Sequence, residues 1–219
     1  MTAIDSNEVR QMFCAVSRRM IDMEPYLTEI DNRVGDGDHG IGMKIGFLQV
    51  EKVLSAGRYD TVNQVFREIG YTLLKVMGGA SGVLFGTMFV SGLVGMEEKK
   101  QFTMEDFACL FQKSAEALTR RGKAGIGDKT MMDALIPAAG AMKEALDLPL
   151  EEGFQKVAKA AEAGMEYTKE CVAAFGRARY YKDKAKGFQD AGATSVYLIF
   201  QTMADWIVGH AEKHREETV

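Results

Sequence analysis

Cysteine, proline and tryptophan are scarce: three, three and one among 219 residues. Cys14, Cys109 and Cys171 are far apart and odd in number. They therefore read as reduced thiols, small apolar core residues of a cytoplasmic protein, not as a disulfide framework. No Cys-x-x-Cys pair and no Cys/His cluster occurs, which argues against zinc. No apolar run approaches the roughly 18 residues needed to cross a bilayer, so no membrane span is expected. The first residues, MTAIDSNEVRQMF, lack the basic-then-apolar order of a secretory signal. Neither sign of charge dominates: 27 Lys+Arg stand against 31 Asp+Glu, a net charge of -4. A general nucleic-acid binder would carry a basic excess, and this chain has none. With 47% hydrophobic and 26% charged residues, bulk disorder is excluded. A chain of this length buries about two-thirds to three-quarters of its unfolded surface without staples.

Glycine, by contrast, is plentiful at 23, and methionine reaches 14. With so little proline, this composition suggests helices joined by glycine-made loops. Val9, Met12, Phe13, Val16 and Met20 have the i, i+3, i+4 spacing of an amphipathic helix over 6–23, with Ser6 as its N-cap. The same periodicity predicts helices over about 40–56, ended by Gly57, and over 60–76. An apolar segment rich in small residues covers 83–95. Thr103 opens a further helix with Asp106 three residues on, close to a capping box. Helices are also expected over 131–146, 151–173 and 193–213. No period-2 strand, internal repeat or linker stands out. The expectation is one all-α domain over 1–219, of roughly eight helices.

Four polar loops lie between these helices, at 31–40, 78–82, 122–130 and 176–192. The first carries Asp31, Asp36 and Asp38. Three carboxylates within eight residues either make turns with Gly35 and Gly37 or surround a hard cation. The spacing fails the EF-hand, because Phe47 stands where its final Glu belongs. Mg²⁺, bound through few carboxylates plus substrate phosphates, fits better. His39 follows directly. The second loop, GGASG at 78–82, exposes backbone N–H groups at a helix start, a ready phosphate site or simply a tight turn. The third nearly spells a P-loop with Gly122, Gly127, Lys129 and Thr130. Asp128 intrudes, and the preceding LFQKSAEALTRRG reads as helix, so a P-loop is rejected. In the fourth, Lys182, Lys184 and Lys186 read as a solvated face. Arg177, whose guanidinium can bind phosphate bidentately, is the better anion ligand. His210 and His214 stand at i, i+4, but AEKHREE reads as a solvated helix end and not as a metal site.

Taken together, DNRVGDGDHGIGM, LLKVMGGASGVLFGT, RRGKAGIGDKTMMDAL and GRARYYKDKAKGFQDAGATS occur in an order and spacing that resembles one family. It is the L subunit, the nucleotide-binding half, of the dihydroxyacetone kinases, and the resemblance covers essentially the whole chain. It implies an eight-helix antiparallel barrel holding ADP or ATP at one end through two Mg²⁺ ions. Asp31, Asp36 and Asp38 match the family's Mg²⁺ ligands. His39, Gly40, Ile41 and Gly42 match the nucleotide-contacting stretch after them, and Ala80 and Ser81 match phosphate-side contacts. Gly122 and Met131 match lining positions, Arg177 matches the site's arginine, and Asp190, Ala191 and Gly192 match the last contacting triplet. Family members often carry Asn at the position of Gly42 and Pro at that of Ala191.

The implied reaction is phosphoryl transfer to a small ketose held covalently on a separate K-type subunit. Arg177 is the catalytic candidate of this chain. The donor is left open between exchanging ATP and bound ADP rephosphorylated by a phosphohistidine carrier of M type. A homodimer is expected. The alternative is a non-enzymatic adaptor whose nucleotide state regulates a transcription factor.

Overall fold

The computed structural model describes residues 1–216, so the last three residues of the expected 1–219 domain lie outside the described residues. The chain enters through a short strand, β1 (Ala3–Asp5), and the helix α1 (Ser6–Asp22). There follow α2 (Glu24–Val34), α3 (His39–Ala56), α4 (Val62–Val76) and α5 (Gly79–Val90). A single 3-10 turn at Ser91–Leu93 leads to β2 (Gln101–Thr103) and α6 (Met104–Gly122). The chain continues as α7 (Met132–Lys143) and α8 (Leu150–Tyr167), a 3-10 stretch at Ala178–Ala185, and the long α9 (Ala191–Glu216).

Eight of these helices pack in a closed antiparallel ring, each against the next: α1, α3, α4, α5, α6, α7, α8, α9 and back to α1. The expected eight-helix barrel is therefore present. The ninth helix, α2, stands outside the ring against α3 and α9. The sequence pattern does not predict it: its last residues, 31–34, fall in the polar loop expected at 31–40. Its amphipathic face, Leu27, Ile30 and Val34, is short but buried, and Pro25 sits in its first turn, where a missing N–H costs nothing.

Helix ends follow local chemistry. Thr103 caps α6 through a reciprocal box with Asp106, as the sequence predicts. At α1 the cap is Asp5, one residue before the expected Ser6: its carboxylate accepts the Glu8 N–H at 2.8 Å, and Glu8 accepts the Asp5 N–H at 2.6 Å. Both caps end a strand. β1 and β2 pair antiparallel with Ile4 opposite Phe102, clipping the start of α1 to the start of α6. Three residues are too few to show a period of two, which is why no strand was visible in the sequence.

The core is continuous. Phe13, Phe66, Phe89, Phe102, Phe107, Phe111, Phe154 and Phe200 are fully buried, and their rings meet mostly edge to face at centroid distances of 5.0 to 6.5 Å. Aromatic pairs in this geometry contribute about 0.5–1.5 kcal/mol each beyond the area they bury. Cys14 and Cys171 are buried, Cys109 is half-buried, and all three are free thiols.

Candidate nucleotide and metal site

Asp31 lies in the last turn of α2, while Asp36 and Asp38 lie in the turn that leads into α3. One carboxylate oxygen of each lies within 4.8 Å of the others. Glycine makes this approach possible. A Cβ on Gly35 would fall 2.1 Å from an Asp31 oxygen, and Gly37 has φ +77 and backs onto Asn32. The Asp31 carboxylate also accepts the His39 N–H at 3.3 Å. Burial, and then the negative charge of Asp36, push the Asp38 carboxyl above the usual carboxylate range. An all-oxygen donor set under mutual repulsion is the chemistry that a hard divalent cation relieves, so these residues fit Mg²⁺.

His39 begins α3 but turns inward. Its Nε2 is 2.8 Å from Ser195 Oγ on α9, its ring lies 6.0 Å from Phe85 of α5, and it makes a backbone hydrogen bond at Ala191. Burial drives its pKa down to about 4, overriding the pull of Asp31 the other way. At neutral pH it is an uncharged strut joining three helices, and Ser195 is a partner the sequence did not reveal. Gly40 is buried against α2, where a Cβ would strike Thr28. Ile41 is exposed, and nothing lies within 4 Å of a Cβ on Gly42.

Loop 78–82 opens α5. Gly78 is its N-cap, Gly79 takes φ +65, no side chain caps the helix and no acid occupies its first turn. Its leading backbone N–H groups, beside exposed Ala80 and half-buried Ser81, point their positive end outward. Phe85, one turn on, packs on His39 and ties this terminus to the first loop.

The other two loops are stitched together by Lys129, which in the sequence stands only within a failed P-loop pattern. Lys129, in left-handed backbone with φ 58, is 1% exposed, and its ammonium donates to the carbonyls of Thr168 and Phe188. Asp133 accepts the Gly127 N–H at 2.5 Å and the Thr130 N–H at 2.7 Å, fixing the loop from below. The segment before this loop is α6, and Lys129 faces carbonyls, so the rejection of a P-loop stands. Asp190 caps α9: its Oδ1 accepts the Ala193 N–H at 2.7 Å. Burial lifts its carboxyl to about 7, against the Ala193 hydrogen bond and the charge of Lys129. Ala191 is buried at the first position of α9, and a Cβ on Gly192 would crowd Asp190 and the buried Met131. Arg177 is largely exposed, and its guanidinium bonds the Asp36 carboxylate across the loops.

One end of the barrel thus gathers the Asp triad, His39, Gly40, Arg177, Met131 and the 190–192 triplet, with the start of α5 beside them. Gly122 is exposed at the end of α6, and nothing lies within 4 Å of a Cβ built on it. Lys182, Lys184 and Lys186 are exposed, as a solvated face requires.

The model of the DAK2 domain matches residues 33–205. The chain belongs to the DAK2-domain family. This DAK2 chain is 35% identical over 181 residues to the ADP-binding subunit DhaL of the PEP-dependent dihydroxyacetone kinase of Escherichia coli K12, covering 82% of this chain and 86% of that one. It is 34% identical over 180 residues to the corresponding subunit of the PTS-dependent kinase of Lactococcus lactis, with the same coverage. Among solved structures, it superposes on the dihydroxyacetone kinase of C. freundii in complex with AMP-PNP and Mg²⁺ with a TM-score of 0.67 at 27% identity. That match covers 90% of this DAK2 chain but only 33% of the longer kinase chain. No helix of the described residues is long and apolar enough to cross a membrane.

Proposed function

We propose that this chain is the ADP-binding subunit of a dihydroxyacetone-type kinase, which presents Mg-nucleotide to a ketose carried by a separate K-type subunit in the cytoplasm. The observation that carries this reading is the convergence of three Asp carboxylates, an inward-turned His39 and the uncapped start of α5 at one end of the barrel. The curated relatives at 34–35% identity bear the names of such subunits.

Asp31, Asp36 and Asp38 would hold two Mg²⁺ ions, which when bound neutralise nucleotide phosphates. The chain's own groups do the rest. The α5 backbone N–H groups at Ala80 and Ser81 bind phosphate oxygens at the positive end of the helix. Neutral His39, locked to Ser195, keeps Gly40, Ile41 and Gly42 in place beside the nucleotide. Gly122 and Met131 would line the nucleotide site, and Asp190, Ala191 and Gly192 would contact the nucleotide. Arg177, anchored through Asp36, stands where it can meet charge developing on a phosphoryl group in transit. No side chain of this chain needs to become phosphorylated.

A partner surface adjoins the site. Ile41, Ile45 and Leu48 form an exposed stripe on α3, flanked by Tyr71 and Leu74 on α4 and Val83 on α5. Apolar residues exposed on three mutually packed helices suit docking of the K-type subunit, and the carrier of M type would have to reach the same nucleotide end.

The test is Asp36→Asn. Titration calorimetry should show Mg²⁺-dependent ADP binding nearly abolished, while circular dichroism and the melting transition stay as in the wild type. Unchanged ADP affinity in a folded variant rejects the reading.

A further inference from the structure

We propose that Glu8, His210 and His214 form a binding site for a divalent transition-metal ion of the zinc class, far from the nucleotide. Its donors come from opposite ends of the chain: Glu8 from the first turn of α1, the histidines from successive turns of α9. His210 stands 19 residues beyond Ala191, the start of α9, so at 1.5 Å per residue the site is about 28 Å along that helix from the nucleotide end.

The three donor atoms already face one another. His210 Nε2 lies 2.6 Å from Glu8 Oε1, His214 Nε2 lies 3.8 Å from the same oxygen, and the two Nε2 atoms are 3.1 Å apart. Ligands about 2.0–2.1 Å from a tetrahedral zinc ion stand about 3.3 Å apart, and the three separations bracket that value. Small side-chain rotations would close the set.

The donors are also held. The other oxygen of Glu8 accepts the Asp5 N–H at 2.6 Å, within the capping box that opens α1. Trp206 stacks on the His210 ring at 4.5 Å and 18°. Two imidazoles with one carboxylate suit zinc, cobalt or nickel and not magnesium, so the site is chemically distinct from the Asp triad. Nearby cations are engaged elsewhere, since Arg215 and the Met1 ammonium both pair with Glu151 at 2.7 Å. A bound ion would pin the end of α9 to the start of α1, the pair that closes the helical ring.

The sequence contained the histidine pair but not its third ligand, which is 202 residues away from His210. The competing account is a metal-free hydrogen-bonded chain from Glu8 through His210 to His214.

Cobalt separates the two. The full chain, stripped with EDTA and returned to chelator-free buffer with excess Mg²⁺ to occupy the carboxylates, is titrated with Co²⁺ at pH 7.5 and, separately, with Zn²⁺ in a calorimeter. The wild type and Asp36→Asn should each take up one ion, give visible ligand-field bands of a low-coordinate cobalt site, and bind Zn²⁺ at micromolar concentration or tighter. Exposed His214→Ala should weaken Zn²⁺ at least about tenfold. The double variant His210→Gln/His214→Ala should lose the bands while binding Mg-ADP as the wild type does. No bands and no heat in the wild type at 100-fold higher Zn²⁺ leave only the hydrogen-bonded chain and overturn the proposal. So do bands that survive the double variant, or that vanish in Asp36→Asn.

Discussion

Burial holds the His39 imidazole neutral down to about pH 4, although its neighbours include carboxylates. An unfolded histidine takes up its proton near 6.5, so between 6.5 and 4 the unfolded chain binds one more proton than the folded one. Stability from this residue is therefore complete above 6.5 and is lost as the pH falls through 4. At 1.36 kcal/mol per pH unit, the loss across that window is about 3 kcal/mol. Urea unfolding in EDTA at pH 6.5 and pH 4 should show that His39→Gln, which keeps a polar group for Ser195, loses about that much less than the wild type. Arg177 gives the second residue-scale expectation. It touches Asp36 from an exposed loop, and under the proposed role it would meet the phosphoryl group mainly in transit, so Arg177→Ala should cut turnover with a K-type partner by about 10²-fold or more. ADP affinity should fall much less; an equal drop in both would make Arg177 a ground-state ligand.

The same glycine substitution has opposite consequences on two neighbouring helices. On α8, a Cβ at Gly164 would sit 1.9 Å from the Asp133 carbonyl oxygen and 3.0 Å from the Ala134 Cα, both backbone of α7. Gly164→Ala must push the two helices apart, at a cost of about 1–3 kcal/mol. It should also weaken ADP binding, because Asp133 holds the 125–130 loop through Gly127 and Thr130. On α7, a Cβ at Gly140 meets nothing within 4 Å, so Gly140→Ala should stabilise by up to about 1 kcal/mol through helix propensity alone. Denaturant titration of both variants, with ADP calorimetry on the first, checks the pair. Both glycines look alike in the sequence, as small residues within helices. Most helix boundaries, by contrast, were legible because the 3.6-residue spacing of Val, Met, Leu and Phe is local. α2 escaped because eleven residues carry little periodic signal and its polar last turn runs straight into the Asp loop.

For the molecule as a whole, the nucleotide end is made of loops that the barrel brings together, so ligand there should stabilise everything. At about 100 times its dissociation constant, Mg-ADP adds about 2.7 kcal/mol, a rise of roughly 5–10 °C in the melting midpoint for a chain of this size. EDTA should reverse it, and Asp36→Asn should show none of it. A melting scan with no shift in the wild type counts against a nucleotide spanning these loops.

The sequence by itself determined the helical class, a count of roughly eight helices and the main chemical clusters, because apolar periodicity and glycine-rich carboxylate loops are short-range patterns; the closed ring was implied only through the family resemblance. The sequence also carried the four motifs that mark the family. What it did not contain was every relation between residues far apart in the chain. His39 meets Ser195 across 156 residues, and Lys129 reaches the carbonyl of Phe188 across 59. Glu8 supplies the third donor to a histidine pair that read as a solvated helix end. Those partners are chosen by which helix ends the closed ring places side by side. That choice depends on the packing of the whole core, and no local pattern of residues encodes it.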